Sequence, residues 1–184
     1  MSCAYIFDRA SFDTSALGLA NMNVFDFHLQ CYQFNRTRTL GLLDQIANLP
    51  APHEILGWRP GPGRAHLAWQ LMHIGVTEEI FATERLAKKP AAFNELWPRF
   101  RGGSTPDDDI PTLEHIRRVL DESRMQLVAT VGDLNEANLN ELPPLWKERG
   151  LPLSTVLQII GWHEAHHQGQ GHLTLNLWKA SHAS

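Results

Sequence analysis

The segment HEAHHQGQ holds three histidines and two glutamines in eight residues, His163 to Gln170. Steps of four and three from Val156 pass through Ile160, His163, His167, Gln170, Thr174 and Leu177. On a helix these positions share one face, and the apolar residues at both ends turn that face toward a core. Polar side chains on such a seam are costly unless each finds a partner. Histidines at i and i+4 have Cβ atoms about 5–6 Å apart, so two imidazoles can converge on one divalent ion at about 2.0–2.1 Å. His163 and His167 are therefore candidate metal ligands, against the plainer alternative of two buried histidines satisfied by hydrogen bonds. His166 lies on the neighbouring stripe with Ile159, Trp162, Gly169 and Leu173, where Gly169 offers room for another helix. His172 and His182 fall off the seam and read as surface residues.

A third ligand has to come from another helix. His73, in WQLMHIGVTEE, sits mid-helix among Leu71, Met72, Ile74 and Val76. On spacing alone it is either a ligand or a hydrogen-bonded histidine at the edge of the core. His66 is two turns earlier, about 10 Å along the axis, too far to share an ion with His73, and reads as a residue of the helix start. His28, beside Phe25 and Phe27, is the remaining candidate.

Other motifs compete for the same residues. His163, Glu164 and His167 spell H-E-x-x-H, in which a zinc protease uses the glutamate as general base. The extended form of that motif needs Gly at 170 and His at 173, where this chain has Gln170 and Leu173, and no carboxylate follows His167. Glu164-x-x-His167 also matches half of a di-iron bundle site, but no second copy is present. Phosphate-binding glycine loops, dinucleotide fingerprints and G-x-S-x-G are absent.

The elements that must position these residues are helical. Apolar periodicity predicts a first helix from about Ala20 to Ala47, with Val24, Phe25, Leu29, Tyr32, Leu42, Leu43 and Ile46 inward. A second runs from near Arg64 to Lys88, and a third from a Thr112 cap to about Val131 through Ile116, Leu120 and Leu127. The fourth runs to about Lys179, with Ser154 as its cap. Strand-like alternation is weak, so the fold expected is all-α, a four-helix bundle with long connections that leave room for crossovers. Residues 1–184 read as one domain, with an N-terminal arm over 1–20 and a long loop or insertion over 90–111. The acidic run Asp107 to Asp109 reads as solvated charge before a helix.

Composition narrows the function. With 184 residues, 43% hydrophobic and 20% charged, the chain fits a single globular domain. A net charge of −4 argues against a nucleic-acid footprint, and no apolar run of about 20 residues is long enough to span a membrane. No signal peptide is evident, and two cysteines, Cys3 and Cys31, make no disulfide framework, so a cytoplasmic location is expected.

Taken together, LMHIG around His73 and HEAHHQGQ in the last helix resemble the DinB/YfiT-like metalloenzyme family, the DinB superfamily, whose motif is H-x-x-x-H-x-G-Q. The resemblance spans nearly the whole chain, including GWRPGPG before the second helix; the arm before Asn21 and the 90–111 insertion are longer than the family's pattern. It implies a four-helix bundle, frequently a homodimer, with His73, His163 and His167 as ligands of one ion, often nickel or zinc. It also implies a thiol-dependent S-transferase or isomerase that uses a low-molecular-weight thiol on a small-molecule substrate. The residues themselves leave two alternatives: a metal-dependent hydrolase, or a bundle in which the metal is structural only. No residue stands out as the general base. Gln170 is placed to hydrogen-bond a bound ligand or to orient a histidine, and Asn35 and Thr39 either line the pocket or lie on a solvated face.

Overall fold

The computed structural model describes residues 22–183, and within them the regular structure is entirely helical. Four long helices carry the architecture: α1 (Val24–Ala47), α3 (Leu67–Ile80), α5 (Leu113–Gly132) and α6 (Leu153–Ser181). Between them lie two short ones, α2 (Pro52–Gly57) and α4 (Trp97–Phe100), and two 3-10 turns, Glu136–Asn140 and Pro144–Arg149. No helix among the described residues is long and apolar enough to cross a membrane. The N-terminal arm, Cys3 and the first residues expected in helix one lie outside the described residues.

Local chemistry sets the helix ends. Asn23 caps α1 in a reciprocal capping box with Asp26, and Thr112 caps α5 by accepting from His115 N. His66 caps α3, its Nδ1 accepting from Trp69 N at 3.1 Å and its Nε2 donating to Asp107 O at 3.0 Å. α3 does not stop at Ile80 but widens into a π-helical segment, Phe81–Ala87, closed by Lys88 in the left-handed region. Ser154 is not the cap of α6. Pro152 holds that position, its ring pre-setting φ near −70° while Leu153, already helical, is buried. None of the three long connections is wholly irregular: the first contains α2, the second α4 and the third the two 3-10 turns.

Residue pairings fix the helix directions. Tyr32 meets Leu157, Arg36 meets Glu164 and Leu42 meets Gly171, so α1 and α6 run parallel. Gly75 meets Val119, Glu78 meets Ser123 and Ala82 meets Thr130, so α3 and α5 are parallel as well. Gln70 against His167 and His73 against His163 make α3 antiparallel to α6. The long 90–111 connection is what lets α5 return in the same direction as α3. Two glycines allow the close approaches: a Cβ on Gly75 would lie 2.8 Å from Val119 Cγ1, and one on Gly171 would lie 2.9 Å from Leu42 Cδ2. Gly169 has no neighbour in that range, and its stripe, with Trp162 and Leu173, faces outward. The close contact expected at Gly169 therefore belongs to Gly171, two residues on and turned to the opposite side of the helix.

The core is split into two hydrophobic clusters. One gathers Leu42, Leu43, Leu67, Leu71, Ile74, Val119 and Leu120. The other gathers Phe25, Tyr32, Phe81, Leu127, Val131, Val156, Leu157 and Ile160. The level between them is occupied by charge. Arg36 of α1, Glu78 of α3, Arg124 of α5 and Glu164 of α6 form a buried ion network, one member from each long helix.

Candidate metal centre

His73 comes from the middle of α3, and His163 and His167 from successive turns of α6 antiparallel to it. The antiparallel pairing turns the i,i+4 spacing of α6 toward a single point on α3. The candidate ligand atoms of the three histidines all lie within 4.8 Å of one another, an arrangement that could hold a metal ion. The other histidines are elsewhere. His66 caps α3, His28 packs against Tyr32, and His166 stacks on the exposed Trp162 with ring centroids 4.9 Å apart.

Hydrogen bonds define the tautomers. His73 Nδ1 lies 2.6 Å from Phe100 O, and since a carbonyl only accepts, Nδ1 carries the proton. His167 Nδ1 lies 2.7 Å from Gln70 Oε1 and is likewise a donor. Nε2 is then the lone-pair nitrogen on both rings. His163 turns its own Nε2 to within 3.0 Å of His73 Nε2. At that distance a proton on His163 Nε2, or a cation, lies between the two nitrogens. One proton can serve one such pair, whereas a divalent ion serves three nitrogens at once. The spacing brackets the roughly 3.3 Å separating tetrahedral ligands bound at about 2.0–2.1 Å. The donor set therefore fits a divalent ion of the zinc or nickel type.

The surroundings keep these imidazoles neutral, which is the form that binds metal. Burial pushes His163 down to about 3, helped by the positive charge that His73, His167, His166 and Arg85 would place beside it. Burial, followed by His73 and His166, pushes His167 down to about 4. His73 is also lowered by burial, against a smaller upward pull from Phe100 O. Trp69 covers the His73 ring in a stacked pair with centroids 4.7 Å apart, and its indole N–H is held by Ser104 Oγ at 3.1 Å. Both Phe100 and Ser104 belong to the 90–111 connection, so that insertion forms a wall of the site. Arg99 pins it, pairing with Asp107 at 2.7 Å and Asp109 at 2.9 Å. Two of the three aspartates expected to be plain solvated charge thus help hold the wall in place.

Glu164, the neighbour of His163, has a different role from the one H-E-x-x-H would give it. It is 2% exposed and turned into the core, where Arg36 Nε donates to it at 2.7 Å and Thr39 Oγ1 at 2.8 Å, with Arg124 on its other oxygen. Glu78 closes the network, accepting from Arg36 at 2.9 Å, Arg124 at 2.7 Å and Ser123 at 3.2 Å. Burial pushes Glu78 up against the pull of both arginines. Burial also works to lower Arg36, but the two carboxylates outweigh it and hold the guanidinium above its usual value. Thr39 is accordingly a buried partner of Glu164 rather than a residue of a solvated face, and Asn35 donates to Gly161 O at 2.9 Å. Gln170 contacts His166 Nε2 at 2.8 Å, while the glutamine on a candidate ligand is Gln70. Sequence reasoning missed Gln70, Arg36, Glu78 and Arg124. The available signal was position, since Gln70 lies three residues before His73 and the three charges each follow an inward residue by four.

A cleft of about 430 Å³, bordered by Arg64, Gln70, Gln170, Thr174 and Leu177, reaches the histidine group through Gln70, the partner of His167; the three histidines themselves do not line it. A helical protein with three converging neutral imidazoles belongs, by its chemistry, among candidate metalloproteins. The DinB superfamily profile matches residues 32–170, from the third turn of α1 through Gln170, and the chain belongs to that superfamily. No curated protein matches it.

Proposed function

We propose that His73, His163 and His167 hold one divalent ion, zinc or nickel, in a four-helix bundle of the DinB/YfiT-like type. The protein is then a thiol-dependent S-transferase or isomerase acting on a small molecule. The observation that carries this is the convergence of three neutral imidazoles, with the nearest carboxylate in sequence turned away. A divalent ion bound there supplies Lewis acidity, lowering the pKa of a thiol brought to it so that a nucleophile exists at neutral pH. The chain's own residues do the positioning. Phe100 O and the Trp69 face fix His73, Gln70 fixes His167, and burial keeps protons from competing for the imidazoles.

Hydrolysis is supported less well, because it profits from a general base within hydrogen-bond reach. Glu164 is committed to Arg36, Arg124 and Thr39. A purely structural ion is also less favoured, since the buried ion network already ties α1, α3, α5 and α6 together. The test is a cobalt-loaded sample titrated with small thiols. The expected result is a thiolate-to-cobalt charge-transfer band that saturates, with no thiol-independent turnover of generic esters. Ester turnover without any thiol, and no such band, would contradict the proposal.

A further inference from the structure

A second cleft, of about 420 Å³, opens at the other end of α3. It is lined by Ile80, Glu84, Arg85, Trp97, Trp146 and Arg149, with Leu145 at its side. Its chemistry differs from that of the cleft beside Gln70 and Gln170. Arg85 Cζ lies 4.6 Å from the ring centre of Phe81, 5.4 Å from that of Trp146 and 5.9 Å from that of Trp97. Arg149 Cζ lies 5.8 Å from the Trp146 ring centre. Neither guanidinium forms an ion pair with a carboxylate among the described residues; Arg149 is exposed, whereas half-buried Arg85 differs from Arg36, Arg99 and Arg124, which each have one. Glu84 is exposed and is the only acidic residue of the lining, so two positive charges face one negative. Trp146 is 7% exposed, and its buried indole N–H has no acceptor among the described residues. A wall with two guanidinium groups free of carboxylate partners, set among aromatic faces, suits a flat anionic acceptor.

The cleft is also joined to the histidine site. Arg85 leaves the π-helical continuation of α3, and its guanidinium folds back over Phe81. Phe81 is eight residues after His73 on the same helix, about 12 Å along the axis. Trp97 begins the one-turn helix whose last residue, Phe100, accepts from His73. One wall therefore serves both places.

We infer that this cleft is a carboxylate subsite, in which Arg85 and Arg149 hold the anionic end of a small molecule whose thiol end reaches His73, His163 and His167. The inference rests on the thiol reading proposed above. It selects a monocarboxylate, since the lining carries one net positive charge, and a ligand body that is extended and lies along the Trp97 and Trp146 faces.

The probes are mercaptohexanoate and mercaptohexanol, each with its thiol at the far end of the chain, titrated into the cobalt-loaded protein. The carboxylate is expected to bind at least about tenfold more tightly than the alcohol. That preference should shrink below about twofold in Arg85→Gln and vanish in the Arg85→Gln, Arg149→Gln double variant. The ligand-free cobalt spectrum of each variant reports that the fold and the metal site are intact. Equal affinity for the two probes in the wild type, or a preference that survives in the double variant, would overturn the subsite. If neither thiol perturbs cobalt, the thiol reading fails, and hexanoate titrated into the metal-free protein decides the subsite alone. Saturable quenching of indole fluorescence that is lost in Arg85→Gln would support it, and no saturable quenching would overturn it.

Discussion

His163 and Glu164 are adjacent in the chain and end in opposite chemical situations. Glu164 joins a closed network in which both carboxylates are satisfied by guanidinium and hydroxyl donors, and only Arg124 Nη1 lacks a partner. His163 joins a group in which the outer nitrogens of His73 and His167 are hydrogen-bonded and its own Nε2 faces that of His73 at 3.0 Å. Both clusters draw on more than one long helix, and both interrupt an otherwise apolar interior. The difference teaches how to tell a structural polar cluster from a functional one. In the first every charge has found its counter-charge within the chain, whereas the second gathers three neutral imidazoles that could hold a metal ion.

If that contrast holds, substitutions in the two clusters fail differently. Glu164→Ala leaves Arg36 and Arg124 buried and short of a counter-charge, and should cost about 3–5 kcal/mol in chemical denaturation. The fraction that folds should still load metal. A stable Glu164→Ala protein that has lost its metal would reverse the roles assigned to the two neighbours.

Acid should act on the histidine group. With His163 pushed down to about 3 and His167 to about 4, the metal-free folded state binds fewer protons than the unfolded chain below about pH 6.5. Stability of the metal-free protein is therefore fully present above about pH 6.5 and falls as the pH drops toward 4. Denaturation midpoints across that range should show the slope in the wild type and a reduced slope in His163→Ala.

Gln70→Ala removes the acceptor that orients His167 and should weaken metal binding by about 10–100-fold, with little change in stability. Competition with a calibrated chelator reads this. Ser123→Ala removes one neutral donor to Glu78 and should cost about 1 kcal/mol with unchanged metal affinity.

The histidine group was legible in the sequence because its signal is local. An i,i+4 pair on a core-facing stripe states its own geometry, and His73 stands out against the apolar run around it. The ion network was not legible for the opposite reason. Arg36, Glu78, Arg124 and Glu164 each sit four residues after an inward side chain, but a lone charge at such a position reads equally well as the edge of a solvated face. Only the packing of four helices shows that they meet. Gln70 was hidden in the same way, since its partner lies 97 residues away. The all-helical character and the approximate helix spans followed from periodicity, whereas the start of α6 did not. There, Pro152 and the burial of Leu153 outweighed the capping preference of Ser154.

Metal content of the purified protein, measured by mass spectrometry beside His73→Ala, His163→Ala and His167→Ala, decides whether the three imidazoles hold an ion. About one zinc or nickel per chain in the wild type, lost in each variant while the helical signal is retained, is the expected result. A wild type that stays metal-free after reconstitution, or variants that load as fully as the wild type, would contradict it.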